Sequence, residues 1–92
     1  MFVSNEEVFA SGQTLIYPNP SNGLFNVLLP KNLHGFIQVN VYDHLARLVS
    51  SQQETSGSFQ IEVTGAPGLY FIEMIDEKGL REVQKVLLQK AD

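Results

Sequence analysis

The stretch Tyr17-Pro18-Asn19-Pro20-Ser21-Asn22-Gly23 decides how this chain leads into its fold. Its two prolines fix their own φ angles and push the residue before each of them toward an extended conformation. The last four residues have the composition of a turn, because Asn and Gly tolerate the left-handed backbone that many turns require. From Phe25 onward apolar and polar residues alternate. The stretch therefore predicts a rigid lead into a β domain that begins at Leu15.

Length and composition limit the range of possible proteins. The 92 residues leave room for one domain, and at this size about 60–65% of the unfolded chain's surface can be buried. Cysteine is absent, which excludes a disulfide framework and a thiolate metal site. No run of apolar residues is long enough to predict a membrane-spanning helix.

Charge is distributed unevenly along the chain. The net charge is −4, yet residues 78–90 carry four basic side chains against one acidic side chain. Residues 1–77 carry two basic and eight acidic side chains. A basic C-terminal segment on an acidic body can steer a partner electrostatically, or it can simply keep a last strand soluble. Nothing in this pattern predicts a nucleic-acid partner.

Seven short segments have the alternation of β-strands. Ile37, Val39 and Val41, separated by polar residues, are the clearest example of a strand with one buried face. In the sixth segment, Tyr70 and the apolar residues at 72 and 74 are predicted to point inward. The predicted strands cover residues 15–17, 25–29, 36–43, 48–53, 59–64, 70–75 and 82–89.

The turns between these segments favour an antiparallel β-sandwich. Turn signals recur every eight to twelve residues, and no segment has the apolar period of an amphipathic helix. Asp76 to Gly79 is predicted to join the last two strands as a hairpin, with Gly79 at positive φ. We therefore predict an all-β fold, an antiparallel immunoglobulin-like sandwich at residues 15–92, preceded by a lead-in or linker at residues 1–14.

Few residues could carry chemistry. The histidines, His34 and His44, lie in no catalytic motif, and the serines lack a nucleophile motif. The acidic residues near the predicted hairpin turn do not have the spacing of a calcium loop. Tyr17, Tyr42 and Tyr70 could stack on a sugar or a base, but strand alternation favours rings that fill the core. No catalytic residue, cofactor or metal site is predicted.

Five motifs occur along the chain in a characteristic order and spacing: Tyr17–Pro20 with Gly23–Phe25, Val39–Asp43 with Arg47–Val49, Gly68–Ile72, Gly79, and Lys85–Gln89. Together they resemble the type A C-terminal sorting domain of the type IX (Por) secretion system of Bacteroidetes, over about residues 15–90. The resemblance implies an immunoglobulin-like sandwich that follows an upstream cargo, acts as an export address and is not an enzyme.

The resemblance also implies partners, location and recognition residues. The outer-membrane secretion machinery would recognise the domain, and a sortase-like peptidase would remove it as the cargo is anchored. The protein would cross the periplasm and reach the cell surface or the extracellular space. The residues that match the family's recognition motifs are Gly68, Tyr70, Gly79, Lys85, Val86, Leu87, Leu88, Gln89 and Lys90.

Two positions depart from the family pattern. Ala46 stands in the turn after Tyr42 and Asp43, where members of the family commonly have glycine. The chain also continues through Ala91-Asp92, past the point where many members end.

Further hypotheses concern the edge of the last strand, an alternative function and the processing site. An edge formed by the last strand, flanked by Lys85 and Lys90, could receive a partner's strand, and exposed edges would also permit self-association. The alternative function is a carbohydrate-binding or adhesive module appended to a secreted enzyme, against which stands the scarcity of exposed aromatic residues. The small, polar segment Ser4 to Gly12 is the predicted neighbourhood of the processing site.

Overall fold

The computed structural model describes residues 14–30 and 35–90. It is an all-β sandwich of one three-stranded sheet, in the order β1-β2-β5, and one four-stranded sheet, in the order β4-β3-β6-β7. Every neighbouring pair of strands is antiparallel. The strands are β1 (Leu15–Tyr17), β2 (Leu24–Leu28), β3 (Ile37–Asp43), β4 (Leu48–Glu54), β5 (Ser58–Glu62), β6 (Gly68–Ile75) and β7 (Arg81–Leu88).

The predicted fold class is confirmed, and each predicted strand matches an observed one to within a few residues. Three sequence predictions fall outside the described residues: the segment Ser4 to Gly12, the role of His34, and the extension Ala91-Asp92.

The core lies between the two sheets and consists of alternate residues of the strands. Tyr70, Ile72 and Met74 point inward from β6, as predicted. Burying one large aliphatic or aromatic side chain contributes about 1.5–3 kcal/mol, so the repeated alternation is what holds the sheets together. The buried apolar residues are Phe25, Val27, Leu29, Ile37, Val39, Val41, Ile61, Val63, Tyr70, Ile72, Met74, Val86 and Leu88.

The hairpin between β6 and β7 closes as the sequence predicts. Gly79 has φ 85°, a value that glycine adopts without steric cost. The Asp76 carboxylate accepts hydrogen bonds from the backbone N–H groups of Lys78 and Leu80, at 2.8 and 2.9 Å. The aspartate and the glycine therefore fix this turn together.

The turn between β3 and β4 forms with alanine at the position where members of the similar family commonly have glycine. Ala46 has φ 65° and is the only non-glycine residue at positive φ in the described part of the chain. The Asp43 carboxylate organises the turn, because it accepts hydrogen bonds from the backbone N–H groups of Leu45 and Arg47 and from Arg47 Nε. These contacts, led by the Arg47 N–H, lower the pKa of Asp43.

Replacing Ala46 with glycine is expected to stabilise the domain by about 1 kcal/mol, because the left-handed conformation strains a residue that has a Cβ. Thermal unfolding followed by circular dichroism measures the effect. Ala66→Gly is the matched control, since Ala66 does not have positive φ, and it is expected to destabilise slightly through backbone entropy. An Ala46→Gly variant that melts below the wild-type protein would contradict the proposed strain.

Candidate recognition surface

The residues expected to carry recognition fall into an inner and an outer set. The side chains of Tyr70, Val86 and Leu88 are buried between the sheets. Lys85 and the residues at 87, 89 and 90 are exposed. Because successive side chains of a strand point to opposite faces, β7 offers only every second residue to a partner.

Tyr70 and Gly68 lie at the start of β6, and Tyr70 has a structural role there. Its ring belongs to the core, and its hydroxyl donates a 2.7 Å hydrogen bond to the carbonyl of Ala66. That bond fixes the turn before β6. Gly68 has φ 143°, so both residues shape the backbone instead of presenting a side chain.

Gly79 lies far from these residues. It occupies the tip of the β6–β7 hairpin, whereas Gly68 pairs with Leu88 at the other end. At about 3.3 Å per residue, the two glycines are separated by about 25 Å along the strands. The nine candidate residues therefore follow the length of one ribbon and do not converge on one point.

The outer edge of β7 is not free where the sequence led us to expect an open edge. Leu87 uses both of its backbone groups, since its N–H donates to Asn19 Oδ1 at 2.9 Å and its carbonyl accepts from the Ser21 N–H at 3.1 Å. The N–H of Gln89 donates to the carbonyl of Ser21 at 2.9 Å. The prediction of an unpaired edge is therefore wrong over residues 87–89.

The proline-containing stretch is what covers this edge. Asn19 also donates from Nδ2 to the carbonyl of Lys85 at 3.3 Å, and Ser21 forms a parallel bridge with Leu88. Covering an exposed edge in this way blocks pairing with another chain. The stretch therefore does more than lead into the fold, because it also pairs with the outer edge of the last strand.

A buried carboxylate anchors the start of the described chain to the same strand. Glu82 points inward and accepts hydrogen bonds from Thr14 Oγ1 and from Gln84 Nε2, both at 2.7 Å. Gln84 Nε2 also donates to the carbonyl of Thr14 at 3.0 Å. Buried charges are tolerated when they are hydrogen-bonded, so Glu82 stabilises the position of Thr14 beside β7.

The outer face of the four-stranded sheet is apolar around Lys85. One cross-strand row runs from Tyr42 through Phe71 to Lys85. In the next row Leu69 lies opposite Leu87, and these two side chains are 44% and 41% exposed. An apolar face of this kind on a sheet that borders water is a feature of interaction surfaces.

Glu73 lies beside this apolar area, where it contacts Tyr42, and its charge is compensated. Arg81 Nε donates to Glu73 Oε2 at 2.7 Å, and Asn40 Nδ2 and the Tyr42 hydroxyl donate to Oε1 at 3.0 and 3.2 Å. Burial opposes ionisation, yet these hydrogen bonds outweigh it and lower the pKa of Glu73. Burial and the neighbouring Glu73 charge raise the pKa of Tyr42.

Fewer of the basic side chains near the C-terminal end carry uncompensated charge in the folded structure than a count along the sequence suggests. Arg81 is engaged by Glu73, and Lys78 lies in the hairpin turn. Lys85 forms no ion pair with any residue in the described ranges. A single uncompensated cation therefore lies within the apolar rows.

The tyrosines differ from the expectation that all three would fill the core. Tyr70 does so, but Tyr17 is 51% exposed on the three-stranded sheet, and Tyr42 lies half-buried on the outer face of the other sheet.

The described residues contain no group of three or more side chains placed to hold a metal ion. Within 14–30 and 35–90 no helix is long and apolar enough to cross a membrane.

Comparison with known proteins identifies the class of domain. Residues 15–89 match the secretion system C-terminal sorting domain, which covers every strand of the sandwich. No curated protein matches the chain. The match supports the sorting function, and the carbohydrate-binding alternative is not favoured.

A sorting domain of this kind is not itself catalytic; it implies an interaction with the type IX machinery and a cargo upstream. From its motifs, its two-sheet fold and this match, the chain belongs to the secretion system C-terminal sorting domains, which mark proteins for type IX export to the cell surface or the extracellular space.

Proposed function

We propose that the outer-membrane machinery recognises this domain through the β6–β7 ribbon and the residues that follow it. The observation that carries the proposal is the exposure of Lys85, Leu87, Gln89 and Lys90, whereas the intervening residues Val86 and Leu88 are buried in the core. Gly68, Tyr70, Val86 and Leu88 contribute by fixing the ribbon, and Gly79 contributes by shaping its tip.

The proposal extends to the fate of the domain. Residues 1–14 would connect the sandwich to its cargo, and a sortase-like peptidase would cleave in that region when the cargo is anchored. The anchoring of Thr14 by Glu82 supports this arrangement, because it holds the start of the sandwich at a fixed place beside β7. Self-association would have to use an edge other than residues 87–89, since that segment is already paired with Asn19 and Ser21.

A reporter protein fused ahead of residues 1–92 tests the recognition proposal in a bacterium with a functional type IX system. We expect the fusion at the cell surface, and we expect a fusion lacking residues 85–92 to stay in the periplasm. Because that deletion removes the buried residues 86 and 88, a second variant carries serine at 85, 87, 89 and 90 and keeps the core. A folded second variant is also expected to stay in the periplasm. Normal export of both variants would refute the proposal.

A further inference from the structure

We infer that the apolar outer face of the four-stranded sheet docks against a protein surface that is itself apolar and carries an unpaired carboxylate facing Lys85. We define the docking face by five residues: Tyr42, Leu69, Phe71, Lys85 and Leu87. The inference rests on the proposed function and deepens it, since it names the side chains that make contact and the chemistry of the partner.

The first step concerns how the ribbon can be contacted. Strand addition at Leu87 is blocked, because Asn19 and Ser21 occupy both of its backbone groups. The side chain of Leu87 stays exposed on the sheet face, next to that of Leu69. A partner therefore meets side chains across the sheet and not backbone groups at its edge.

The second step concerns the shape of the face. A shallow depression of about 350 Å³ lies beside the apolar rows and is lined by Tyr42, Ala46, Phe71, Glu73, Arg81 and Val83. Its polar groups are joined to one another through the Glu73 carboxylate. A partner can cover this area without leaving Glu73 unpaired, which would otherwise be costly.

The third step concerns charge. Lys85 lies opposite Phe71 and is the one cation of the face without a carboxylate among the described residues. Covering it with apolar groups alone would desolvate an unpaired charge, so a fitting partner supplies a carboxylate. An anionic membrane surface fits less well, because its recognition uses clusters of about four to eight basic residues.

A second copy of the chain also fits less well than a different protein. Each copy has a net charge of −4, and like net charges oppose association. The outer face of the three-stranded sheet is nonetheless partly apolar, with Leu24 opposite Glu62. The experiment therefore has an arm that detects a second copy.

Carbodiimide coupling in cells that export the reporter fusion tests the partner's chemistry, because this reagent joins an amine to a carboxylate in direct contact. We expect mass spectrometry to find Lys85 coupled to an aspartate or glutamate of an outer-membrane machinery protein. Lys85→Arg is the matched control, since it keeps the charge and removes the amine. It is expected to lose the coupled product at this position.

Export of folded variants tests the face itself. Lys85→Glu and Leu87→Ser are each expected to lower surface display about tenfold, because they place a like charge or a polar group against the partner. Leu24→Ser, on the opposite sheet, is expected to stay within about twofold of wild type. Thermal unfolding of each purified domain shows that the sandwich is intact.

Several outcomes would overturn the inference. One is normal export of folded Lys85→Glu and Leu87→Ser while the deletion of residues 85–92 still blocks export, a result that leaves the proposed function standing. Coupling of Lys85 to Glu62 of a second copy would assign the face to self-association. Lys85-dependent binding of the domain to vesicles of phosphatidylcholine and phosphatidylglycerol would assign it to lipid. Normal export of both the deletion variant and the variant with serine at 85, 87, 89 and 90 would instead refute the proposed function.

Discussion

Phe25→Ala is expected to destabilise the domain by about 3–5 kcal/mol, which is the usual cost of emptying a buried phenylalanine site. Phe25 is 0% exposed and is among the largest fully buried side chains. It projects from the middle strand of the three-stranded sheet and lies opposite Ile61. A domain of this size is stable by only about 5–15 kcal/mol, so the loss removes a large part of its stability.

Urea unfolding followed by circular dichroism measures this loss. Leu24→Ala is the matched control, because Leu24 is the preceding residue of the same strand and is 48% exposed on the outer face. It is expected to cost no more than about 0.5 kcal/mol. Equal losses for the two variants would show that β2 does not present Phe25 to the core.

Gly65→Ala is expected to cost about 3 kcal/mol for two separate reasons. Gly65 has φ 143°, a conformation whose strain for other residues is about 1–3 kcal/mol. An added Cβ would also lie 2.8 Å from the Tyr70 hydroxyl. That contact would disturb the hydrogen bond from Tyr70 to Ala66 and with it the turn before β6. At about 4–8 °C per kcal/mol for a domain of this length, the loss in melting temperature is easily measured.

A double-mutant cycle separates the two reasons. In a Tyr70→Phe background the hydroxyl is gone, so Gly65→Ala is expected to cost only the backbone strain and the two changes are less than additive. Gly57→Ala controls for the substitution itself, because a Cβ at Gly57 has no neighbour within 4 Å and the residue does not have positive φ. Strict additivity of the two changes would contradict the predicted contact.

Much of the fold could be predicted because the signals are local. The alternation of Ile37, Val39 and Val41 determines which face of β3 is buried, whatever the strand packs against. Gly79 marks the hairpin for a similar reason, since only the local backbone conformation is involved. The motifs that carry the family resemblance follow the same strands and turns, which is why the export function was accessible from the sequence.

The candidate site was less accessible, because its properties depend on residues far apart in the chain. Counting charges along residues 78–90 overstates the positive patch, since Arg81 is neutralised by Glu73. Alternation alone places Phe71 away from the core, but it does not show that Tyr42 and Lys85 lie on either side of it. Ala46 adopts the positive φ that is usual for glycine, because the Asp43 carboxylate holds the neighbouring N–H groups in place.

The sequence by itself determined the all-β class, the order of the strands along the chain, the inward residues and the sorting family, because alternation and turn chemistry act over a few neighbouring residues. Only the tertiary structure decided that Asn19 and Ser21 close the edge of β7. It also decided that Tyr42, Phe71 and Lys85 form one cross-strand row on the outer face. These arrangements depend on contacts between residues far apart in the chain, for example Asn19 with Leu87 and Tyr42 with Phe71, and no local pattern encodes such contacts.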